Sequence, residues 1–131
     1  MARKKPPHLT EAELRLMNIV WQKRQATVAE VAAALPKEID LAYNTVLTTL
    51  RILESKGYLR HAKAKDARAF VYRPAVDRIQ ATRDAVRHLL RRFFAGSPEA
   101  LVLNLLEDET LGETEMKKIR KLLQHEEGAR Q

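Results

Sequence analysis

The sequence predicts a mainly α chain carrying one small β-hairpin, and three observations lead there. Apolar residues recur at steps of three and four through most of its length, two Thr-x-x-Glu boxes head such runs, and one stretch rich in β-formers interrupts them after Gly57. With 131 residues, 4 glycines, 5 prolines, and 45% hydrophobic against 31% charged side chains, the composition is that of a folded, helix-rich domain with an oligomerisation appendage at most. It is neither a large multi-domain enzyme nor a disordered chain.

Thr10-Glu11-Ala12-Glu13 reads as a capping box opening a helix of about residues 10–24, with Leu14, Met17, Val20 and Trp21 on its apolar side. Thr27-Val28-Ala29-Glu30 repeats the device for a short helix of about 28–35, in which Val28, Val31, Ala32 and Leu35 share a stripe before Pro36 stops it. After a connector, Val46, Leu50 and Leu53 mark the inward stripe of a third helix, and Gly57 supplies the left-handed position that ends it. Two extended runs, Leu59 to Ala64 and Ala69 to Arg73, then flank the polar turn Lys65-Asp66-Ala67-Arg68. The core of this part is expected from Leu14, Val20, Val31, Leu35, Val46, Leu50 and Leu53. Three helices and a hairpin in this order follow the winged helix-turn-helix plan, in which the third helix enters the DNA major groove and the hairpin lies along the phosphates.

The remainder reads as helix. Ile79, Thr82, Val86, Leu89 and Phe93 alternate steps of three and four over about 76–94, close to a heptad. Gly96 ends that run, Ser97-Pro98 caps and opens a helix carrying Leu101, Val102, Leu105 and Leu106, and a last helix over about 113–126 carries Met116, Ile119, Leu122 and Leu123. The apolar sides of these helices exceed what three short helices can hide alone, so a second copy is expected to cover them. Ile79, Val86, Leu89, Phe93, Leu101, Leu105, Met116, Ile119 and Leu123 are the candidate dimerisation residues. The predicted organisation is therefore a winged helix-turn-helix at residues 1–75 followed by a helical dimerisation region at 76–131.

Net charge is +7, and its placement matters more than its size. Residues 1–76 hold 14 basic and 7 acidic side chains, whereas residues 77–131 hold ten of each. One part thus suits a polyanion and the other does something else. The absence of cysteine excludes disulfides, thiolate metal sites and thiol catalysis. No apolar stretch follows the basic N-terminus, so the expectation is a cytoplasmic protein that is neither exported nor membrane-inserted. His8, His61, His88 and His125 lie far apart, Glu107-Asp108-Glu109 reads as a solvated helix end, and no phosphate-cradling glycine loop or nucleophile turn occurs. No catalytic apparatus, cofactor or metal is expected.

With Val46, Leu50 and Leu53 inward, a helical wheel places Asn44, Leu47, Thr48, Arg51 and Ser55 outward. Asn can pair with adenine and Arg with guanine or phosphate, while Thr and Leu offer contact to thymine methyls. Any amphipathic helix has a polar outside; an outward Leu47 beside Thr48 favours a contact surface. Tyr43 and Thr45 at the helix start join the candidates, Tyr43 either bonding a phosphate or packing under the hairpin. Lys63, Lys65 and Arg68 around the hairpin tip suit phosphate contacts that position the protein without reading sequence.

Leu9-Thr10-Glu11-Ala12-Glu13, Val20-Trp21, Thr27-Val28-Ala29-Glu30-Val31, Ala42-Tyr43-Asn44-Thr45-Val46, Leu53 to Gly57, and Arg68-Ala69-Phe70-Val71-Tyr72 together resemble the penicillinase and methicillin-resistance repressor family, BlaI/MecI, over about residues 8–125. The resemblance implies a dimeric winged-helix repressor that binds an inverted-repeat operator through its third helix and dimerises through its C-terminal helices. It further implies release through a membrane sensor-peptidase system, by cleavage at a bond matching Asn104–Leu105, where this chain has Leu in place of the usual Phe. Position 47 is Leu where relatives often carry a polar or basic residue, and the C-terminal cysteine pairs of the copper-sensing branch are absent. Two other readings of the residues stand beside a specific repressor: a winged module for protein assembly, and an architectural DNA binder without sequence preference.

Overall fold

The computed structural model describes residues 8–64 and 69–130. Its elements follow in the order α1 (Glu11–Lys23), β1 (Ala26–Thr27), α2 (Val28–Ala34), α3 (Tyr43–Ser55), β2 (Leu59–Lys63), β3 (Phe70–Pro74), α4 (Arg78–Phe93), α5 (Pro98–Leu106) and α6 (Glu113–Arg130). The chain divides into a compact unit ending at Val86 and a second beginning at Arg87, the division falling inside α4.

Both expected capping boxes form. Thr10 Oγ1 accepts from the Glu13 amide at 3.2 Å and Glu13 Oε1 accepts from the Thr10 amide at 2.8 Å; the matching distances at Thr27 and Glu30 are 3.1 and 3.0 Å. Each box satisfies two amides that a helix start leaves without partners. α2 stops one residue earlier than its apolar stripe suggests. Leu35, ahead of Pro36, is already extended at φ −65° and ψ 144°, so it leaves the helix and is only half-buried, not the full core residue expected. At the end of α3, Gly57 takes φ +91°, and the Tyr58 amide donates back to the Leu53 carbonyl at 2.9 Å. That reversal sends Tyr58 and Leu59 straight into the core, where they are buried.

The sheet is larger than the expected hairpin. β2 and β3 pair with His61 opposite Tyr72, and β1 adds to the far side of β3 with Ala26 opposite Tyr72, giving one antiparallel sheet in the order β1-β3-β2. β1 spans only two residues, too few to show a period of two, and exists because β3 returns alongside the α1–α2 junction.

The core of the first unit combines Leu16, Met17 and Val20 of α1, Val28 and Val31 of α2, Val46, Leu50 and Leu53 of α3, and Ala26, Tyr58, Leu59 and Tyr72 from the sheet and its approach; Ala81 of α4 closes it. Leu14 is a correction: at 42% exposed it lies outside this core. The buried face of α1 instead runs through Glu13, Leu16, Met17 and Val20. The face is rotated because Glu13 points inward to Lys56 Nζ at 2.7 Å, tying the start of α1 to the end of α3. Trp21, half-buried, donates from Nε1 to the Val76 carbonyl at 3.0 Å, and the Arg78 guanidinium stands 5.0 Å over its ring. The segment after β3 is thus fastened to α1.

In the second unit α4 closes through Ala95 at φ +49° and Gly96 at φ +80°, with the Gly96 amide donating to the Leu90 carbonyl at 2.8 Å. Ser97 caps α5, its Oγ accepting from the Ala100 amide at 3.1 Å, and α6 continues to Arg130, past the expected end. None of the described residues from Arg87 onward is buried. Leu101, Leu111, Met116 and Ile119 reach only the half-buried range.

Burial raises the Glu13 pKa, but the hydrogen bonds from Lys56 and Thr10 and the Lys56 charge outweigh it, holding the carboxyl below its ordinary 4.5. A depressed carboxylate contributes stability above its unfolded value and loses it as pH falls through the folded one. Glu13→Gln is therefore expected to cost about 1–3 kcal/mol near neutral pH and to flatten the stability loss below about pH 4.5. Chemical unfolding of both proteins across that range checks this; parallel curves would remove the Lys56 pairing as the cause.

Candidate nucleic-acid interface

α3 is two-sided. Val46, Leu50 and Leu53 are fully buried, whereas Asn44, Thr45, Thr48, Arg51 and Ser55 are exposed and Tyr43 is 55% exposed. Leu47 departs from expectation: it is half-buried and packs against the core, because it borders the buried stripe at Val46 and Leu50. Its side chain belongs partly to the interior, so the outward surface is more polar than the wheel suggested.

Two threonine hydroxyls of α3 are already committed as donors. Thr48 Oγ1 donates to the Asn44 carbonyl at 2.8 Å and Thr49 Oγ1 to the Thr45 carbonyl at 2.9 Å. Thr48 therefore offers an incoming group its methyl and the oxygen lone pairs. The exposed Asn44 amide and Arg51 guanidinium add donors to this face, the two groups suited to the hydrogen-bonding edges of adenine and guanine.

The hairpin supplies charge. Lys63 ends β2 and is exposed; Lys65 and Arg68, expected at the tip, lie outside the described residues. Two basic residues that the sequence reading passed over stand here as well. Arg60 of β2 and Arg73 of β3 are both exposed and directly opposite each other in the ladder. Like charges facing across a ladder destabilise it unless an anion lies against them. The signal for them was strand alternation: with Leu59 inward, Arg60 faces the other side of the sheet.

The hairpin is joined to α3 by polar contacts. Both oxygens of Glu54 lie against His61 Nδ1, at 2.6 and 2.7 Å, and Glu54 Oε2 accepts from the His61 amide at 3.2 Å. The His61 ring meets Phe70 edge-on at 5.0 Å and Tyr72 at 5.9 Å. Burial pushes the pKa of the Tyr72 phenol up, assisted by the Glu54 charge and opposed by Arg51.

The candidate dimerisation residues are placed on three helices. Ile79 and Phe93 are each 65% exposed, Val86 and Leu89 are exposed, and Leu105 of α5 and Leu123 of α6 are exposed too; Leu101, Met116 and Ile119 are half-buried. Asn104 and Leu105 both lie in the second half of α5, exposed and helical. Among the described residues no cluster of three or more His, Asp or Glu is placed to hold a metal, and no helix is long and apolar enough to cross a membrane.

Known proteins share this plan. The penicillinase repressor family model matches residues 9–125. The penicillinase repressor of Bacillus licheniformis is 32% identical over 121 residues, 92% of this chain and 93% of that protein. The methicillin resistance regulatory protein MecI of Staphylococcus aureus strain N315 is 26% identical over 115 residues, 88% of this chain and 92% of its own. Among solved structures, monomeric Bacillus licheniformis BlaI in complex with the blaP half-operator is 35% identical, covers 60% of this chain and 93% of its own, and superposes with a TM-score of 0.50. The DNA-binding domain of the repressor BlaI, 36% identical, gives the same score over 58% of this chain and 90% of its own. A family match running from before α1 into α6, on a winged-helix unit with a polar, two-sided third helix, shows that the chain belongs to the penicillinase repressor family.

Proposed function

We propose that this chain is a sequence-specific DNA-binding transcriptional repressor that acts as a homodimer on an inverted-repeat operator, with residues 1–75 holding DNA and residues 76–131 pairing the copies. The observation that carries the reading is α3 itself. Its inward stripe is wholly buried, and its outward side presents Asn44, Thr45, Thr48 and Arg51, residue types that read base edges, and a relative covering 60% of this chain is solved on its half-operator. Tyr43, Lys63, Arg60 and Arg73, with Lys65 and Arg68 of the turn the sequence predicts, supply phosphate contacts that set register. Leu47 adds an apolar edge beside Thr48.

Pairing is supported by apolar side chains that the second unit leaves in water. Phe93, Leu122 and Leu123 of that unit are each at least 58% exposed, Ile79 at the start of α4 is 65% exposed, and no described residue after Val86 is buried. A surface of this kind is ordinarily covered by a partner, and two-fold pairing sets two third helices against two half-sites. Cleavage at Asn104–Leu105 by a sensor-linked peptidase fits the same scheme. α5 has no buried residue to resist opening, and the cut would detach Met116, Ile119 and Leu123 from the pairing surface.

The test begins with a duplex selected by the wild-type protein from a randomised pool. Arg51→Ala is expected to lose about 1–3 kcal/mol on it, and Asn44→Ala and Thr48→Ala to weaken it as well. Unchanged affinity in all three variants would take α3 out of the interface, and equal affinity of wild type for selected and random duplexes would leave only nonspecific binding. Lys63→Ala should weaken every duplex alike and lower the salt slope by about 1; titrations at several salt concentrations reveal a sequence-selective loss if that assignment is wrong. Ile119→Asp is expected to dissociate the dimer in sedimentation while preserving the winged unit. Binding to the full operator should then drop by about a hundredfold, since each monomer loses the effective concentration that a partner supplies. A variant that stays dimeric, or a monomer binding as tightly as wild type, overturns the pairing scheme.

A further inference from the structure

Glu54 stands in the last turn of α3, where a carboxylate is unfavourable on two counts: the C-terminal end of a helix already carries negative partial charge, and a polyanion laid along the helix would repel it. Its bonds point to another use. It follows Leu47 by seven residues, on the same border between the buried stripe and the outward face, and reaches the sheet from there. β2 is an edge strand, so amides on its outer side have no strand to pair with. Glu54 Oε2 accepts from one of them, that of His61, at 3.2 Å, and both carboxylate oxygens meet His61 Nδ1 at 2.6 and 2.7 Å. An ionised carboxylate only accepts, so these contacts place a ring proton on Nδ1. With the His61 and Glu54 side chains still 44% and 31% exposed, the pair adds little stability, and its effect is on direction. Lys63 lies two residues further along β2, on the same face and about 7 Å away. Phe70 stands opposite it, and the His61 ring packs edge-on against Phe70 at 5.0 Å, so a hold on His61 steadies both strands where Lys63 is carried.

We infer that Glu54 is a positioning residue for the hairpin's grip on DNA: by bonding the ring and the amide of His61 it fixes the end of β2 against α3, which brings the Lys63 ammonium to a phosphate flanking the groove that α3 enters. The inference rests on the reading of α3 and the hairpin as the DNA interface. An ammonium on a flexible four-carbon stem is a point charge, and the strand that carries it decides where it can reach. One stiff duplex has to meet α3 and the hairpin together, so the contact forms only where the strand keeps its distance from the helix. Glu54 touches no DNA in this arrangement. Its charge alone would oppose binding, so the sign of its effect separates positioning from electrostatics.

The experiment measures binding of Glu54→Ala, Glu54→Gln, Lys63→Ala and the Glu54→Ala, Lys63→Ala double variant to the selected duplex and to a random one, at several salt concentrations. Glu54→Ala should weaken both duplexes about tenfold at about 0.1 M salt and lower the salt slope by about 1, the mark of one lost phosphate contact. Glu54→Gln can still accept from the amide and donate to Nδ1 of the other ring tautomer, and should bind at least as tightly as wild type. Once Lys63 is Ala, Glu54→Ala should cost nothing further. Unchanged or tighter binding by Glu54→Ala, where Lys63→Ala weakens it, overturns the positioning role and leaves the hairpin assignment standing. A Glu54→Gln protein as weak as Glu54→Ala, or a fully additive loss in the double variant, does the same. Lys63→Ala without effect on either duplex overturns the hairpin assignment, and the inference with it. A second measurement uses the DNA-free proteins: hydrogen exchange at the His61 amide should quicken at least about tenfold in Glu54→Ala and not in Glu54→Gln, while the amides of Leu50 and Leu53 show α3 still folded. Equal exchange at His61 in wild type and both variants overturns the inference.

Discussion

Burial of Val46, Leu50 and Leu53 is the constraint on which the rest of the first unit depends. A helix has only one way to hide three residues spaced at four and three, so this stripe determines which side of α3 is wet, and with it which side chains a partner can meet. The other elements can be understood as supplying walls for that stripe. α1 brings Leu16, Met17 and Val20, α2 brings Val28 and Val31, and Gly57 folds Tyr58 and Leu59 back beneath it. Rolling α3 about its axis would bury Asn44 or Arg51 without partners, at a cost greater than any gain from covering Leu47 more fully.

Polar contacts then fix what apolar packing alone leaves adjustable. Glu13, capped against Thr10 and bonded to Lys56, sets the axial position of α1 against the end of α3. Glu54, holding both the ring and the backbone amide of His61, fixes the hairpin against the same helix. Directional bonds of this kind contribute modestly to stability, but they select one arrangement among several that hydrophobic contact would accept nearly equally. For an interface assembled from a helix and a hairpin, that selection matters more than added stability.

Most of the fold was legible in the residues. The boxes at Thr10–Glu13 and Thr27–Glu30 mark helix starts and Gly57 marks a stop, because both act through the local backbone. What was not legible depends on distant partners. β1 is two residues that become a strand only when β3 lies beside them, and Leu14 lost its inward place because Glu13 found Lys56, 43 positions away. The outward face of α3 was read correctly for Asn44, Thr48 and Arg51, while Leu47, on the border of the stripe, turned half inward. Arg60 and Arg73 escaped notice since their meeting is a matter of strand register.

The fastening of Trp21 to Val76 and Arg78 gives the molecule an optical property. The chain contains a single tryptophan, so its indole emission originates entirely at the joint where the segment after β3 lies on α1. An indole whose N–H is bonded to a peptide carbonyl and whose face lies under a guanidinium differs in polarity and quenching from one released into water. Unlabelled protein therefore carries an intrinsic fluorophore at the root of α4, which distinguishes an event that loosens this joint from one confined to α5 and α6.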